Sequence, residues 1–399
     1  MHRLRACLPL AVAVFACGCS RLPDSTYTLR AEAEKLELPA KHKRQIAEYL
    51  EFFHGTPANP RMSLPAGEAA EESATKPVAL VDKPGYDRLT LTRGRDIYTA
   101  QCAGCHGTTG DGKGPAGAYL NPPPRDYRNG VFKFTSTPRG EKPRREDLRR
   151  ILKYGAKGTS MPAFRFLAQE DTEAVIDYVQ VLAARGELEL ALIREATDEL
   201  LEDDDFDPET VAGFVRDIAA SWDRADDALV RASTVEPPRT PETIRAGATH
   251  FAEMYCVKCH NRDARGSKTA DVGLDVWGRV AYPADLSMGM LHGGRRPIDI
   301  YRRIYSGING TPMPSSKDPD TARGETPEQR SQKIWELVHF VTAVIEHNGV
   351  PPAEQEAIDA ALDRISRPAV PEPPAAEPPA EAATSAPRPA GLVRSGAMR

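Results

Sequence analysis

One short motif occurs twice in this chain and constrains its fold and chemistry more than any other feature. It is Cys-x-x-Cys-His, at residues 102–106 and again at residues 256–260. This is the spacing of haem c attachment, in which two thiols add to the haem vinyl groups and the histidine ligates the iron. Cysteine pairs also occur in redox motifs and zinc sites, but the adjacent histidine favours haem. The sequence predicts two covalently bound haem c groups, held by Cys102, Cys105 and His106 and by Cys256, Cys259 and His260.

Length, charge and the remaining cysteines narrow the class of protein. The 399 residues are enough for two or three domains. A formal net charge of −5 at pH 7 argues against a nucleic-acid partner. Outside the two motifs the cysteines are Cys7, Cys17 and Cys19, so none is left for a structural disulfide.

The N-terminal segment, residues 1–19, is typical of an export signal, because basic residues precede an apolar stretch from Ala6 to Ala16. A small residue before a cysteine resembles a bacterial lipoprotein signal, and Cys17 and Cys19 both fit; an ordinary cleaved signal peptide is the alternative. The stretch is shorter than the about 20 residues that span a bilayer. We therefore expect a chain on the periplasmic side of a bacterial membrane. It would be lipid-anchored through Cys17 or Cys19, with no transmembrane helix in the mature chain.

The apolar pattern predicts an N-terminal helix from Thr28 to Phe53. Leu36, Ile46, Leu50 and Phe53 would share one face of it, and the glycine and proline that follow would end it.

Composition divides the chain into further segments, and the predicted fold class is all-α. The Pro/Ala-rich tail from Arg367 has too little apolar content to pack and is predicted to be disordered. The expected segments are an N-terminal helical segment at 24–62, a linker at 63–87, a first haem domain at 88–187, an acidic helical spacer at 188–237, a second haem domain at 238–349, and a short helix with the disordered tail at 350–399.

An internal repeat supports the two haem domains. Residues 147–162 match residues 299–314 without a gap, and an aspartate, an arginine, two glycines, a threonine, a methionine and a proline coincide. Each block is typical of a helix that glycine ends, followed by a loop of sequence Gly-Thr-x-Met-Pro. That loop is in a position to supply the sixth iron ligand.

The positions of the methionines in the repeat indicate which of them are candidate iron ligands. Met161 is the only methionine between Cys102 and the end of the first haem domain. The second domain offers Met288, Met290 and Met313, and the spacing from His260 to Met313 nearly equals that from His106 to Met161. Prolines on both sides also stiffen the loop of Met313. We therefore predict Met161 and Met313 as axial ligands and Met288 and Met290 as core residues.

Both haem domains resemble the class I cytochrome c family, over roughly half of the chain, which implies two tandem cytochrome c-like domains. In that family a first helix ends at the haem motif and a C-terminal helix crosses it. Gly94 and Tyr98 have the family's spacing before Cys102, whereas Gly247 and Phe251 lie one residue too far from Cys256, which implies a small bulge. The resemblance places the C-terminal helices at Glu170–Ala184 and Gln329–Glu346, with Tyr178 and Trp335 as candidate crossing aromatics.

The resemblance also implies partners for the two histidine ligands. In the family, a proline backbone carbonyl accepts a hydrogen bond from the second ring nitrogen of the histidine and fixes its orientation. Pro124 and Pro283 are the candidates, and the alternative is that they only stiffen their loops. The remaining candidate ligands stay unassigned; they are His42, His54, His250, His292 and His339.

These features predict an electron carrier, or a cytochrome subunit of a respiratory complex, that passes single electrons. Its partners would be donor and acceptor proteins, such as an oxidase or a quinol-oxidising complex, and the membrane through the lipid anchor. A thioether ligand favours Fe(II) and closes the sixth position, which favours outer-sphere transfer. The alternatives are a dihaem cytochrome c peroxidase, which needs an open iron, and a structural or sensory haem protein. A basic cluster between Arg139 and Lys157 is a candidate docking surface for an acidic partner.

Overall fold

Helices dominate the computed structural model, which describes residues 27, 29–66, 80–266 and 272–366. The predicted all-α fold class is confirmed. None of the helices in these ranges has the length and apolar content needed to cross a bilayer. The predicted lipidation sites Cys17 and Cys19, the signal segment and the tail from Arg367 lie outside the described residues.

The described elements follow one another in a simple order. The helices are α1 (Ala31–Lys35), α2 (Ala40–His54), α3 (Arg88–Gln101), α4 (Ala103–His106), α5 (Arg145–Tyr154), α6 (Gln169–Asp198), α7 (Pro208–Asp223), α8 (Pro241–Glu253), α9 (Val257–His260), α10 (Pro297–Ser306), α11 (Pro327–Glu346) and α12 (Pro352–Ser366). Two short antiparallel pairs join β1 (Gly55–Thr56) to β2 (Asn59–Pro60) and β3 (Ser63–Pro65) to β4 (Leu80–Asp82). We call α3 to α6 the first unit and α8 to α11 the second unit.

The single N-terminal helix predicted from Thr28 to Phe53 is wrong, because the segment forms α1 and α2 separately. Pro39 disfavours the helical conformation at the residue before it, and Glu37 adopts a φ of 52°. Leu36, which was expected on the buried face, lies at this break and is 50% exposed. The helix does end at His54, as predicted, and its face of Ile46, Leu50 and Phe53 is buried.

A close helix crossing organises each unit. A Cβ atom on Gly94 of α3 would lie 2.0 Å from the Ala174 carbonyl oxygen of α6, and one on Gly247 of α8 would lie 2.0 Å from the Glu336 carbonyl oxygen of α11. Only glycine permits backbones to approach so closely. The extra residue of the second unit is accommodated where α8 ends, because Tyr255 has a φ of 60°. The second unit therefore has a turn between α8 and its Cys-x-x-Cys-His motif, at the place where a bulge was expected.

The aromatic residues at the two crossings differ in part from the expectation. Tyr178 lies at the first crossing, with its ring centroid 5.3 Å from that of Tyr98. In the second crossing this place is taken by Phe340, whose ring centroid lies 5.1 Å from that of Phe251. The assignment of Trp335 is wrong, because that residue packs on Tyr301 of α10 at 4.5 Å, on another side of α11.

Helix α6 is longer than predicted and extends into the segment expected to be a spacer. It has 30 residues and continues past Gly186 to Asp198. Its C-terminal half packs with α2 and α7 around a core that contains Leu50, Leu188 and Val211. The acidic segment is helical, as predicted, but the structure joins it to the N-terminal helices in one core.

The N-terminal side of the chain is fixed on α6 by polar contacts. The Tyr27 hydroxyl lies 3.4 Å from the Tyr178 hydroxyl, and the Arg185 guanidinium lies 4.2 Å from the centre of the Tyr27 ring. The fully buried Glu189 carboxylate accepts a hydrogen bond from the Arg30 backbone N–H at 2.6 Å. These contacts attach the start of the described chain to the same helix that crosses α3.

The two units face each other through reciprocal contacts. The gap-free alignment of the internal repeat pairs Lys157 with Asn309, and its continuation towards the N-terminus without a gap pairs Gly140 with His292. In the structure the Gly140 N–H donates to the Asn309 side-chain oxygen at 2.9 Å, and His292 Nδ1 donates to the Lys157 carbonyl. Equivalent positions of the two units therefore contact each other in both directions, as a local two-fold relation requires.

Candidate functional site

Each Cys-x-x-Cys-His motif folds into one short helical turn. In the first unit α3 leads directly into α4, and the His106 N–H donates to the Cys102 carbonyl at 2.9 Å. In the second unit the His260 N–H donates to the Cys256 carbonyl at the same distance, 2.9 Å. All four cysteines of the motifs are free thiols and partly buried.

A backbone carbonyl orients the ring of each histidine. His106 Nδ1 donates to the Arg125 carbonyl at 3.1 Å, and His260 Nδ1 donates to the Ala284 carbonyl, also at 3.1 Å. Because a carbonyl only accepts, the proton lies on Nδ1, and Nε2 keeps its lone pair. Burial lowers the pKa of both histidines against the opposing effect of these hydrogen bonds. Both rings are therefore held neutral, in the tautomer that can ligate iron through Nε2.

The predicted acceptors Pro124 and Pro283 are wrong by one residue in each unit. The Pro124 carbonyl instead faces Gly112, where a Cβ atom would lie 2.7 Å away, and the Pro283 carbonyl faces Gly266, where it would lie 2.4 Å away. Successive residues of an extended segment point in opposite directions. The carbonyl next to each proline carbonyl therefore faces the histidine.

Burial shifts the pKa of the first cysteine thiol in each motif. Burial raises the pKa of the Cys102 thiol to about 11 and that of the Cys256 thiol to about 12. Redox-active Cys-x-x-Cys motifs and zinc sites need thiolates, which a lowered pKa provides. The raised pKa of Cys102 and Cys256 is the opposite, so it argues against both alternatives.

The two predicted methionine loops have the same internal hydrogen bonds. We call Gly155–Pro162 the first methionine loop and Gly307–Pro314 the second. In the first, the Thr159 hydroxyl donates to the Ala156 carbonyl at 2.7 Å and accepts from the Met161 N–H at 3.1 Å. In the second, Thr311 makes the corresponding bonds to Ile308 at 2.9 Å and from Met313 at 3.3 Å. The threonine, which coincides in the repeat but received no role from the sequence, thus folds the loop around the methionine.

Glycine is required where each loop leaves its helix. Gly155 has a φ of 69° and Gly307 a φ of 70°, a region that favours glycine. A Cβ atom at Gly155 would lie 2.6 Å from the Met161 carbonyl oxygen, and one at Gly307 would lie 2.6 Å from the Met313 carbonyl oxygen. The glycine that ends the helix therefore also makes room for the backbone of the candidate ligand.

The competing methionines of the second unit are not core residues. Met288 is 60% exposed and Met290 is 51% exposed, so that prediction is wrong. The 3₁₀ turn at Leu286–Met288 buries Leu286 and Ser287 instead. Gly289, with a φ of 62°, then turns the chain, and Met290 reaches the neighbourhood of Gly158 in the first methionine loop.

The five unassigned histidines have other surroundings. His42, His54 and His339 are almost fully buried, and burial lowers the pKa of His54 to about 3. His250 Nε2 lies 2.9 Å from a Glu336 carboxylate oxygen, and His292 donates to the Lys157 carbonyl. None of these contacts is with either Cys-x-x-Cys-His motif.

The residues around the motifs fit a haem c group. Each motif offers two thiols and an imidazole with a free Nε2 on one turn. The Tyr127 ring stacks on His106 at 4.7 Å. The Arg125 guanidinium lies 3.9 Å from the centre of the Trp277 ring, and within the described residues it makes no hydrogen bond or ion pair. The Asp275 and Asp126 carboxylates act on this guanidinium only through space. Its N–H groups therefore suit a propionate group.

The basic cluster of the first unit is largely engaged within the chain. Lys142 pairs with Glu187, Arg145 with Asp177 at 2.6 Å, and Arg149 with Glu173. Arg150 lies 3.4 Å from Asp299 of the second unit. These residues join α5 to α6 and to the second unit, so most of the positive charge that was proposed to attract a partner is neutralised internally.

The match to a protein family agrees with the geometry of the first motif. Residues 90–179 match the model of the family described as cytochrome c oxidase, cbb3-type, subunit III. The chain is similar to a solved chain of the reducing HAO-like protein complex of Kuenenia stuttgartiensis, with 27% identity, a TM-score of 0.46, and coverage of 63% of this chain and 96% of that chain. None of the curated proteins compared with the chain matches it. The chain therefore contains a c-type cytochrome domain, and this domain implies covalently bound haem c.

Proposed function

We propose that the chain is a dihaem c-type cytochrome that transfers single electrons between membrane-associated or periplasmic redox partners. Thioether bonds from Cys102 and Cys105 would hold one haem, and bonds from Cys256 and Cys259 the other. The proposed axial ligands are His106 with Met161 and His260 with Met313.

The observation that supports two haems best is the equivalence of the two sites. In both units a histidine Nδ1 donates to a backbone carbonyl at 3.1 Å, and in both a threonine folds the methionine loop through the same two bonds. Such detailed agreement is expected when both sites must meet the geometric demands of one cofactor.

The chain's own residues would set the redox properties. Haem c, when bound, supplies a one-electron iron couple. The hydrogen bond to the Arg125 or Ala284 carbonyl fixes the imidazole and raises its basicity. The methionine loops present a neutral, soft thioether, which favours the reduced iron and raises the potential relative to bis-histidine ligation. Because both sixth positions would be closed, electrons would pass without a bond between iron and partner.

The proposed location follows from the chemistry of attachment and from the N-terminal sequence. Haem c is attached outside the cytoplasm, so we place the protein on the periplasmic side of a bacterial membrane, tethered by lipid at Cys17 or Cys19. The mass of the mature chain decides this assignment. The partners would be a donor dehydrogenase or quinol-oxidising complex and an acceptor such as an oxidase.

The haem count tests the proposal directly. The wild-type protein should retain two haems per chain after denaturing electrophoresis, measured by haem staining and a pyridine haemochrome assay. Cys102→Ala with Cys105→Ala should retain one haem, and Cys256→Ala with Cys259→Ala should retain the other. A wild-type chain with a single haem would refute the dihaem assignment.

Peroxide turnover separates the carrier from a dihaem cytochrome c peroxidase. Peroxide must coordinate iron, so a chain with two closed irons should consume it no faster than a simple monohaem carrier does, in the oxidised, half-reduced and reduced states. Oxidation by a one-electron acceptor should be rapid. Rapid peroxide turnover in the half-reduced state, with one haem becoming high-spin, would favour the peroxidase.

A further inference from the structure

One arginine of the first unit donates to the backbone of the second methionine loop. The Arg139 Nη1 atom lies 2.5 Å from the Met313 carbonyl oxygen and 3.4 Å from that of Ile308, and Nη2 lies 2.7 Å from that of Thr311. A guanidinium presents its N–H groups in a fixed fork, so three convergent carbonyls define its position well.

A tight turn presents this arginine to the loop. The Glu141 N–H donates to the Pro138 carbonyl at 3.2 Å, and Gly140 has a φ of 89°, as type II turns require at that position. We call Pro138–Glu141 the arginine turn. Its Gly140 N–H donates to the Asn309 side-chain oxygen, and Asn309 Nδ2 lies 3.4 Å from the Thr135 hydroxyl. The turn therefore contacts the loop through several bonds, and its arginine is held against the candidate ligand.

The first methionine loop receives a smaller counterpart of this contact. There His292 of the second unit donates to the Lys157 carbonyl, and the Met290 Cβ atom would lie 3.3 Å from a Cβ atom on Gly158. Continued without a gap to this segment, the repeat alignment places Leu291 where the first unit has Arg139, and leucine cannot form the forked contact. The two methionine loops have the same internal hydrogen bonds, but they differ in the contacts that they receive from the opposite unit.

We propose that Arg139 is a positioning residue for the distal ligand of the other unit, and that each unit holds the methionine loop of its neighbour. This rests on the proposed ligation of iron by Met161 and Met313. The Arg139 guanidinium restrains the backbone from which the Met313 thioether extends, and the loss of that restraint increases the fraction of time in which the thioether is dissociated. His292 has the same role, with one hydrogen bond, for the first loop.

Competition by imidazole at the ferric haems of the full-length holoprotein tests this proposal. Arg139→Lys keeps the charge but loses the fork, and Arg139→Gln loses both. Both variants should raise the affinity of the second haem for imidazole. The increase should be roughly tenfold in Arg139→Gln, because charge-assisted hydrogen bonds are lost. It should be smaller but present in Arg139→Lys, because an ammonium keeps the charge but lacks the fork that reaches three carbonyls at once. Both variants should also weaken the charge-transfer band of its methionine-ligated ferric form, and the first haem should keep its wild-type values. His292→Ala should produce a smaller change of the same kind at the first haem alone.

Arg144→Gln is the matched control, because it removes one positive charge from the same segment while its guanidinium contacts Asp226 at 3.0 Å. It should leave both haems unchanged. A wild-type imidazole affinity in Arg139→Lys, or equal changes at both haems, would overturn the proposal and leave the ligation intact. Absence of the methionine band of the second haem in wild-type protein would overturn the ligation and this proposal together.

Discussion

Gly94→Ala should destabilise the first unit by about 2 kcal/mol or more, within the range that overpacking a tight contact costs. The new methyl group would lie 2.0 Å from the Ala174 carbonyl oxygen and 2.6 Å from the carbonyl carbon. Both atoms belong to the backbone of α6, which cannot yield as a flexible side chain can, so α3 and α6 must move apart. The free energy of unfolding, measured by denaturant titration with circular dichroism, gives the effect.

Gly213→Ala is the control for this substitution. Gly213 also lies inside a helix, α7, but a Cβ atom there meets no heavy atom within 4 Å. Alanine should therefore stabilise the protein by about 0.5–1 kcal/mol through its higher helix propensity. If Gly94→Ala were as stable as Gly213→Ala, the close crossing of α3 and α6 would be contradicted.

Met161→His and Met313→His should each lower the midpoint potential of one haem by on the order of 100 mV or more, within the roughly 0.8 V range that axial ligation spans. Imidazole is a stronger donor than a thioether and favours the ferric iron. The midpoint of the other haem should change little, because the two loops belong to different units. A spectroelectrochemical redox titration measures both midpoints.

Met288→His is the matched control in the second unit, because Met288 is 60% exposed on a 3₁₀ turn. It should leave both midpoints at their wild-type values. A shift for Met288→His together with none for Met313→His would reverse the assignment of the second distal ligand.

Local patterns in the sequence predicted much of the candidate site. The Cys-x-x-Cys-His spacing indicates one short helical turn. The repeat identified both methionine loops, because two loops of the same sequence pattern adopt similar backbone conformations. The resemblance to the class I cytochrome c family also predicted the close helix crossings at Gly94 and Gly247. These features depend on neighbours within a few residues or on one helix crossing.

Features that depend on distant contacts were missed or misplaced. The helix predicted to end at Ala184 continues as α6 to Asp198. Gly186 within it gives space to Arg128, because a Cβ atom there would lie 2.4 Å from the Arg128 Cα. Phe340, and not the predicted Trp335, lies at the second crossing because of the side of α11 that packs on α8. A helix with apolar residues on several sides does not show in its sequence which side packs on a given partner. The contact of Arg139 with the second methionine loop joins segments that no local pattern relates.

If lipid is attached at Cys17 or Cys19, as proposed, the attachment of Tyr27 to α6 limits how far the first unit can lie from the membrane. Tyr27 contacts Tyr178 and Arg185 on α6, the helix that crosses α3. A fully extended chain from Cys19 to Tyr27 spans at most about 30 Å. With lipid at Cys19, the first motif would stay close to the bilayer surface. Partners embedded in the same membrane would then meet the protein by lateral diffusion. Partners located far from the bilayer surface would have to extend towards the membrane to contact it.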